Sequence, residues 1–258
     1  MEDILAVILA GGLGTRISEE TQSKPKPMVE IGSKPIIWHL LQVLALQGVK
    51  KFAIATGYMS QVIDKWVEES QENGNFIFED RENLVNVSKV NNIDIKSIET
   101  GKDSLTGFRI SKIMDRFPNQ KILVTYGDGL ANINVKRLID FHNSSGKLAT
   151  VTAVHPPARF GYLKIENSGM VSSFGEKLQT NSGWINGGFF ILEPGVREYI
   201  LGNESFEESV LPRLVIKNQL QAYKHDDFWL PMDTLREKHD LEKLLDFKPR
   251  PWLRNIRQ

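Results

Sequence analysis

The stretch Ile4-Leu5-Ala6-Val7-Ile8-Leu9-Ala10-Gly11-Gly12-Leu13-Gly14-Thr15-Arg16 decides the fold of this chain. Its apolar run, 4–9, does not alternate with polar residues and ends directly in glycine, which predicts a strand buried on both faces at the centre of a sheet. From residue 33 the spacing becomes helical. Pro35 lies near a first turn, Ile36, Ile37, Leu40, Leu41 and Leu44 recur at three-to-four spacing, and Gly48 stops the helix. His39, among Ile36, Leu40 and Val43, reads as a helix-packing residue. Strand-like and helical pieces then alternate over 52–56, 62–69, 110–117, 122–126, 135–141 and 148–154. This rhythm implies right-handed crossovers and an α/β fold with a Rossmann-like, mostly parallel sheet and helices on both faces. Residues 75–104 interrupt it with short β-like pieces at 76–78 and 95–98, and are expected to form a mobile loop or hairpin. After residue 154 the chain turns β-rich, at 162–166, 170–174 and 189–192, predicting a smaller second sheet layer followed by C-terminal helices. One domain over 1–258 is expected, with a soft boundary near 154/155.

The chain has 258 residues, 41% hydrophobic and 25% charged, as in ordinary globular domains. Lys plus Arg and Asp plus Glu both number 32, so no global field attracts nucleic acid or an anionic membrane surface, and any polyanionic ligand must be held locally. The absence of cysteine excludes thiolate nucleophiles, disulfides and cysteine metal sites, and fits a cytoplasmic protein. No apolar run approaches the ~20 residues that cross a bilayer, and Glu2 and Asp3 spoil a signal-peptide start.

Glycines directly after a buried strand let backbone N–H groups approach phosphate oxygens without side-chain obstruction. A Walker loop would need Gly-Lys-Ser/Thr where Arg16 stands, and a dinucleotide fingerprint a third glycine or alanine where Ile17 stands. The competing reading is a turn whose glycines only permit tight packing. Ser23-Lys24-Pro25-Lys26-Pro27-Met28 tips the balance: two lysines between prolines are expected in an extended, rigid presentation that keeps both out of a helix and aims an ammonium at a phosphate.

Asp128 follows the apolar run 122–126, at the end of a strand where ligands bind in open parallel sheets. Asp233 follows the rigid Phe228-Trp229-Leu230-Pro231. Each alone reads equally as a turn or cap residue, Asp233 as the N-cap of a helix starting near Leu235. Together they offer the hard oxygen ligands that Mg²⁺ takes beside substrate phosphates.

The glycine loop followed by Lys24-Pro25-Lys26-Pro27-Met28-Val29-Glu30 resembles the signature of sugar-1-phosphate nucleotidyltransferases. Within them the likeness is greatest to glucose-1-phosphate cytidylyltransferases. It continues through Thr125-Tyr126-Gly127-Asp128-Gly129, Pro156-Pro157-Ala158-Arg159-Phe160-Gly161, Asn186-Gly187-Gly188-Phe189-Phe190 and Phe228-Trp229-Leu230-Pro231-Met232-Asp233-Thr234. The resemblance implies that Leu9, Ala10, Gly11, Gly12, Leu13, Gly14, Thr15, Arg16, Lys26 and Gly127 hold the nucleotide, and that Lys26, Arg16 and Asp128 are catalytic. It implies Mg²⁺ on Asp128 and Asp233, and a sugar-phosphate site of Gly161, Glu176, Lys177, Asn186 and Gly187. Leu178 stands where the family's Glu-Lys-Pro signature has proline, and a solvated Glu-Lys surface pair is the alternative there. Thr106-Gly107-Phe108-Arg109 resembles a nucleotide-contacting segment, with Thr106 and Arg109 free to read the triphosphate.

On this reading 1–154 mainly binds nucleotide and 155–258 mainly sugar phosphate. The substrates implied are CTP and α-D-glucose 1-phosphate, the products CDP-glucose and pyrophosphate. The implied setting is sugar supply for cell-surface polysaccharide such as lipopolysaccharide O-antigen. A homo-oligomer is implied, with a hexamer as one form. Two other classes stay open: a non-catalytic sugar-nucleotide sensor, which would lack one of the site charges, and a dinucleotide-dependent oxidoreductase, which expects a ribose-reading acid where Thr56-Gly57-Tyr58 stands.

Overall fold

In the computed structural model, residues 4–12, 14–72, 78–79, 89–90, 93–156, 162–175 and 183–254 are described. Seven strands form the main sheet: β1 (Leu5–Ala10), β2 (Lys51–Thr56), β3 (Asp94–Glu99), β4 (Ile122–Tyr126), β5 (Ala149–Val154), β6 (Ile185–Leu192) and β7 (Leu220–Lys224). Their order across the sheet is β7-β5-β6-β4-β1-β2-β3. Every neighbouring pair is parallel except the two made by β6, which runs antiparallel to both β5 and β4. The glycine-terminated run is therefore an interior strand, and all six of its residues are buried.

Alternation along β1 feeds two separate cores. Ala6, Ile8 and Ala10 pack with apolar residues of α1 (Ile36–Leu46), α2 (Ser60–Glu72), α4 (Val135–Ser145) and α6 (Leu235–Lys243). Leu5, Val7 and Leu9 pack with those of α3 (Thr106–Arg116) and α5 (Leu211–Ile216). Helices thus cover both faces, because a parallel sheet needs crossover connections and each must bury its apolar stripe on the sheet. Pro35 precedes α1 in an extended conformation, and Gly48, at φ 93°, takes the chain out of it.

Three sequence expectations are corrected. In the stretch expected as a loop or hairpin, Phe78–Glu79 does pair antiparallel with Lys89–Val90, but Asp94–Glu99 is the edge strand of the main sheet, parallel to β2. The polar insertion before it hid an ordinary strand-helix-strand unit. Residues 185–192 join the main sheet rather than a second layer, and among the described residues of that region only Tyr162–Ile165 with Val171–Gly175 forms a separate ribbon. Lys26, expected outside any helix, opens a single 3₁₀ turn, Lys26–Met28, after an extended Pro25. Proline is compatible with the first turn of a helix, where its missing N–H has no partner to lose.

His39 sits at 2% exposure between Trp38 and Trp252, at ring distances of 5.2 and 5.7 Å, with its Nε2 3.1 Å from the Ile31 carbonyl. Burial, reinforced by Arg250 and Lys34, lowers its pKa to about 4. The unfolded chain then binds this proton near pH 6.5 and the folded chain only near 4, so stability is lost as pH falls through that window. We predict that His39→Gln, which keeps an N–H for Ile31 but does not titrate, flattens the fall in melting temperature between pH 7 and pH 5 relative to the parent. An unchanged slope would show that His39 does not contribute to it.

Candidate active site

Because β1 and β4 are adjacent and parallel, the loops that follow them leave the same edge of the sheet, and the Gly127 N–H donates to the Leu9 carbonyl at 3.1 Å. β6, running the other way, begins at that edge: Ile185 pairs with Val154 and Asn186 with Ala153 at the carboxyl end of β5. The reversed strand therefore delivers Asn186, Gly187 and Gly188 to the same sheet edge as the glycine loop, with β4 between them.

A short ribbon completes the edge. Gly129–Ala131 pairs antiparallel with Trp229–Pro231, Gly129 opposite Pro231, and the Met232 N–H donates to the Asp128 carbonyl at 2.8 Å. Asp128 immediately precedes one strand and Asp233 shortly follows the other, so pairing alone draws the two carboxylates together. Asp233 is not the cap of α6. That position belongs to Thr234, which accepts from the Glu237 N–H, while Glu237 Oε2 accepts from the Asp233 and Thr234 N–H groups at 2.8 and 3.0 Å. The capping box holds the Asp233 backbone and leaves its side chain to the cleft.

Lys26 lies between the two. Its Nζ is 2.6 Å from Asp128 Oδ2 and 2.6 Å from Asp233 Oδ1. The lysine side chain is 10% exposed, against 30% and 22% for the carboxylates. Burial works against the ammonium, but Asp128 and then Asp233 outweigh it and leave the Lys26 pKa above its ordinary value. Gly127 is what lets the turn carrying Lys26 come close, since a Cβ there would lie 2.9 Å from Pro27 Cγ.

The glycine loop is held from below. Gly14, at φ 66°, precedes the 3₁₀ turn Thr15–Ile17, and Thr21 Oγ1 donates to the carbonyls of Gly14 and Ile17, each at 3.1 Å. Leu9, Ala10 and Gly11 are buried, whereas Gly12 and Thr15 are exposed. Leu13 lies outside the described residues, as do Gly161, Glu176, Lys177 and the Arg16 side chain.

Thr106 and Arg109 are not free to read a triphosphate. Thr106 Oγ1 donates to Glu207 Oε2 at 2.5 Å and accepts from the Phe206 N–H at 2.9 Å. Arg109 is 3% exposed, and burial lowers its pKa. Its guanidinium donates to the carbonyls of Thr56, Gly101, Gly11 and Lys102 at 2.9, 2.8, 2.9 and 3.3 Å, and to Thr100 Oγ1 at 2.7 Å. It is an internal clamp joining the ends of β1, β2 and β3. A Cβ on Gly11 would lie 2.2 Å from Arg109 Cζ, and one on Gly57 2.3 Å from Nη1, so glycine at both positions admits the guanidinium. Packing therefore accounts for Gly11.

Gly187 also has a packing role: a Cβ would meet Val154 Cγ1 at 2.7 Å, and its carbonyl accepts from Trp229 Nε1 at 2.7 Å. Sequence reasoning missed Trp229, Tyr126 and Glu207. Tyr126 had a signal, as an aromatic at a strand end beside Gly127-Asp128, but Glu207, in an ordinary acidic stretch 81 residues away, had none.

Among the described residues no three His, Cys, Asp or Glu side chains cluster closely enough for an all-protein metal site. Two carboxylates converging on one cation are instead the donor set Mg²⁺ takes when phosphates supply other ligands. No helix among the described residues is long and apolar enough to cross a membrane.

A glycine loop, a buried lysine and two carboxylates on one edge of a mostly parallel sheet define a phosphate-handling α/β site, and the chain belongs to the nucleotidyl transferase family, whose pattern it matches over residues 5–237. It is 43% identical over 252 residues to the glucose-1-phosphate cytidylyltransferase of Salmonella typhi, covering 96% of this chain and 98% of that one. To the probable glucose-1-phosphate cytidylyltransferase of Bacillus subtilis it is 38% identical over 251 residues, with the same coverage. The crystal structure of HddC from Yersinia pseudotuberculosis shares the fold, with a TM-score of 0.68 at 24% identity over 94% of this chain and all of that one.

Removing the Lys26 ammonium leaves Asp128 and Asp233 facing one another. We predict that Lys26→Met lowers stability by about 2 kcal/mol in metal-free buffer, as for a lost hydrogen bond to a charged group and less than for a fully buried pair because both carboxylates keep some exposure, and that adding Asp233→Asn restores most of the loss. Denaturant unfolding of the two variants checks this; a double variant no more stable than the single one would show that repulsion is not the cause.

Proposed function

We propose that this protein is a glucose-1-phosphate cytidylyltransferase, converting CTP and α-D-glucose 1-phosphate to CDP-glucose and pyrophosphate. The observation that carries the substrate pair is end-to-end identity to relatives bearing that name. The chemistry is supported by the charges that converge on one sheet edge.

In the proposed reaction an oxygen of the sugar phosphate attacks the α-phosphorus of the triphosphate in line. One P–O bond forms, the bond to the β-phosphate bridging oxygen breaks, and pyrophosphate leaves. The attacking phosphate is anionic near neutral pH, its second pKa being ~6, so neither a histidine base nor a covalent intermediate is needed. The protein's task is to hold two repelling anions together and to stabilise charge that grows on the α-phosphate and leaving group. Exposed Gly12 offers backbone to the phosphates. Lys26, held protonated, offers a positioned cation, with Arg16 beside the loop. Mg²⁺ on Asp128 and Asp233, where the facing carboxylates suit it, would add positive charge to the triphosphate. Asn186 and Gly187, with Glu176 and Lys177, would receive the sugar phosphate. A homo-oligomer and a role in supplying sugars for cell-surface polysaccharide belong to the same proposal.

A pyrophosphate-release assay over the common triphosphates and several sugar 1-phosphates should give CTP with glucose 1-phosphate the highest kcat/KM. UTP or dTTP exceeding CTP would overturn the base assignment and keep the reaction class. We further expect turnover to need a divalent cation, and Asp128→Asn and Asp233→Asn each to lower kcat by about 100-fold or more, with losses that do not add in the double variant because both act on one cation. Parental kcat in Asp233→Asn, or full activity in EDTA, would exclude the shared metal.

A further inference from the structure

Tyr126, the last residue of β4, is absorbed by no role above, yet its hydroxyl joins two segments of the site. Tyr126 Oη donates to Glu207 Oε1 at 2.5 Å. An ionised carboxylate only accepts, so the single hydroxyl proton is committed to it. The group 3.2 Å away on Asn186 must then be a donor, which makes it Nδ2. Independently, the Gly188 N–H donates to Asn186 at 2.8 Å, which makes that atom Oδ1. Two unrelated partners thus require the same orientation of one exposed amide.

The far end of this chain of hydrogen bonds is also fixed. Glu207 Oε2 accepts from Thr106 Oγ1 at 2.5 Å and Ser205 Oγ at 3.0 Å, which ties it to the N-terminus of α3. The ring is seated edge-on against Phe190 at 6.2 Å. Gly188, at φ 76°, accommodates it, since a Cβ there would lie 2.5 Å from Tyr126 Cδ2.

We propose that Tyr126 and Glu207 are positioning residues that lock the Asn186 amide, through the chain Glu207–Tyr126–Asn186, for recognition of the sugar phosphate's hydroxyl groups. This rests on reading the edge as a sugar 1-phosphate site. The locked amide keeps one Nδ2 hydrogen and one Oδ1 lone pair for ligand, so it selects a hydroxyl that accepts and one that donates. Without the lock only the Gly188 N–H still holds the amide, so it is fixed at one atom instead of two and Nδ2 loses its anchor.

The test measures both KM values for Tyr126→Phe, Glu207→Met and Glu207→Gln, using the substrate pair on which the parent is most active. Tyr126→Phe keeps the ring packing, and Glu207→Met keeps the tyrosine but removes its acceptor, so the result does not depend on one variant folding. Both should raise KM for the sugar phosphate by about tenfold, as for a misplaced hydrogen-bonding group, with KM for the triphosphate within about twofold of the parent. Glu207→Gln should stay within about twofold for both substrates, because its Oε1 still accepts from Tyr126 while its Nε2 donates to Thr106. An unchanged sugar-phosphate KM, equal weakening of both substrates, or a Gln variant as impaired as Met would overturn the proposal. Failure of the substrate assignment appears instead in the parent enzyme, as a preferred pair other than CTP and glucose 1-phosphate.

Discussion

The site depends on one cation held between two anions. Lys26, Asp128 and Asp233 come from segments 102 and 207 residues apart, and their contacts of 2.6 Å form only when the first strand, the fourth strand and the C-terminal ribbon are all in register. Two carboxylates and an ammonium carry a net charge of −1, so the group is nearly balanced by itself yet still attracts a further cation. Partial burial strengthens every interaction at this point relative to bulk water. The ribbon Gly129–Ala131 with Trp229–Pro231 is what sets Asp128, just before one strand, opposite Asp233, shortly after the other.

The sheet edge around this cluster is organised by polar contacts within the protein, those of Arg109 being the most buried. The Arg109 guanidinium gathers carbonyls from the ends of three strands, and a planar fork with five donors is the side chain suited to that task. Trp229 holds the Gly187 carbonyl, and Tyr126 and Glu207 hold Asn186. Exposed groups such as Gly12 and Asn186 are thus presented from a rigid base, and pre-organisation of this kind lowers the ordering cost of binding.

Reversal of one strand brings the Asn186 segment to the sheet edge that carries the glycine loop. A wholly parallel sheet would place the start of β6 at the opposite edge, about a strand's length from the glycine loop. Running antiparallel between β4 and β5, it brings Asn186 beside Tyr126.

The sequence by itself determined the buried central strand, the alternation that follows it and the helices on both faces, because periodicity and glycine punctuation are local signals set by backbone geometry. It also marked Lys26, Asp128 and Asp233, since charged residues at strand ends and between prolines are conspicuous against an apolar background, whereas Asn186 was marked only by the resemblance of its motif. The tertiary structure alone decided what those residues meet. It turned Arg109 and Thr106 inward, moved the cap of α6 from Asp233 to Thr234, made residues 94–99 an edge strand and drew Glu207 to Tyr126. A hydrogen-bond partner 80 or 100 residues away leaves no trace in local spacing. Whether a polar side chain faces a ligand or the protein's own carbonyls is fixed by burial, which exists only once the chain has folded.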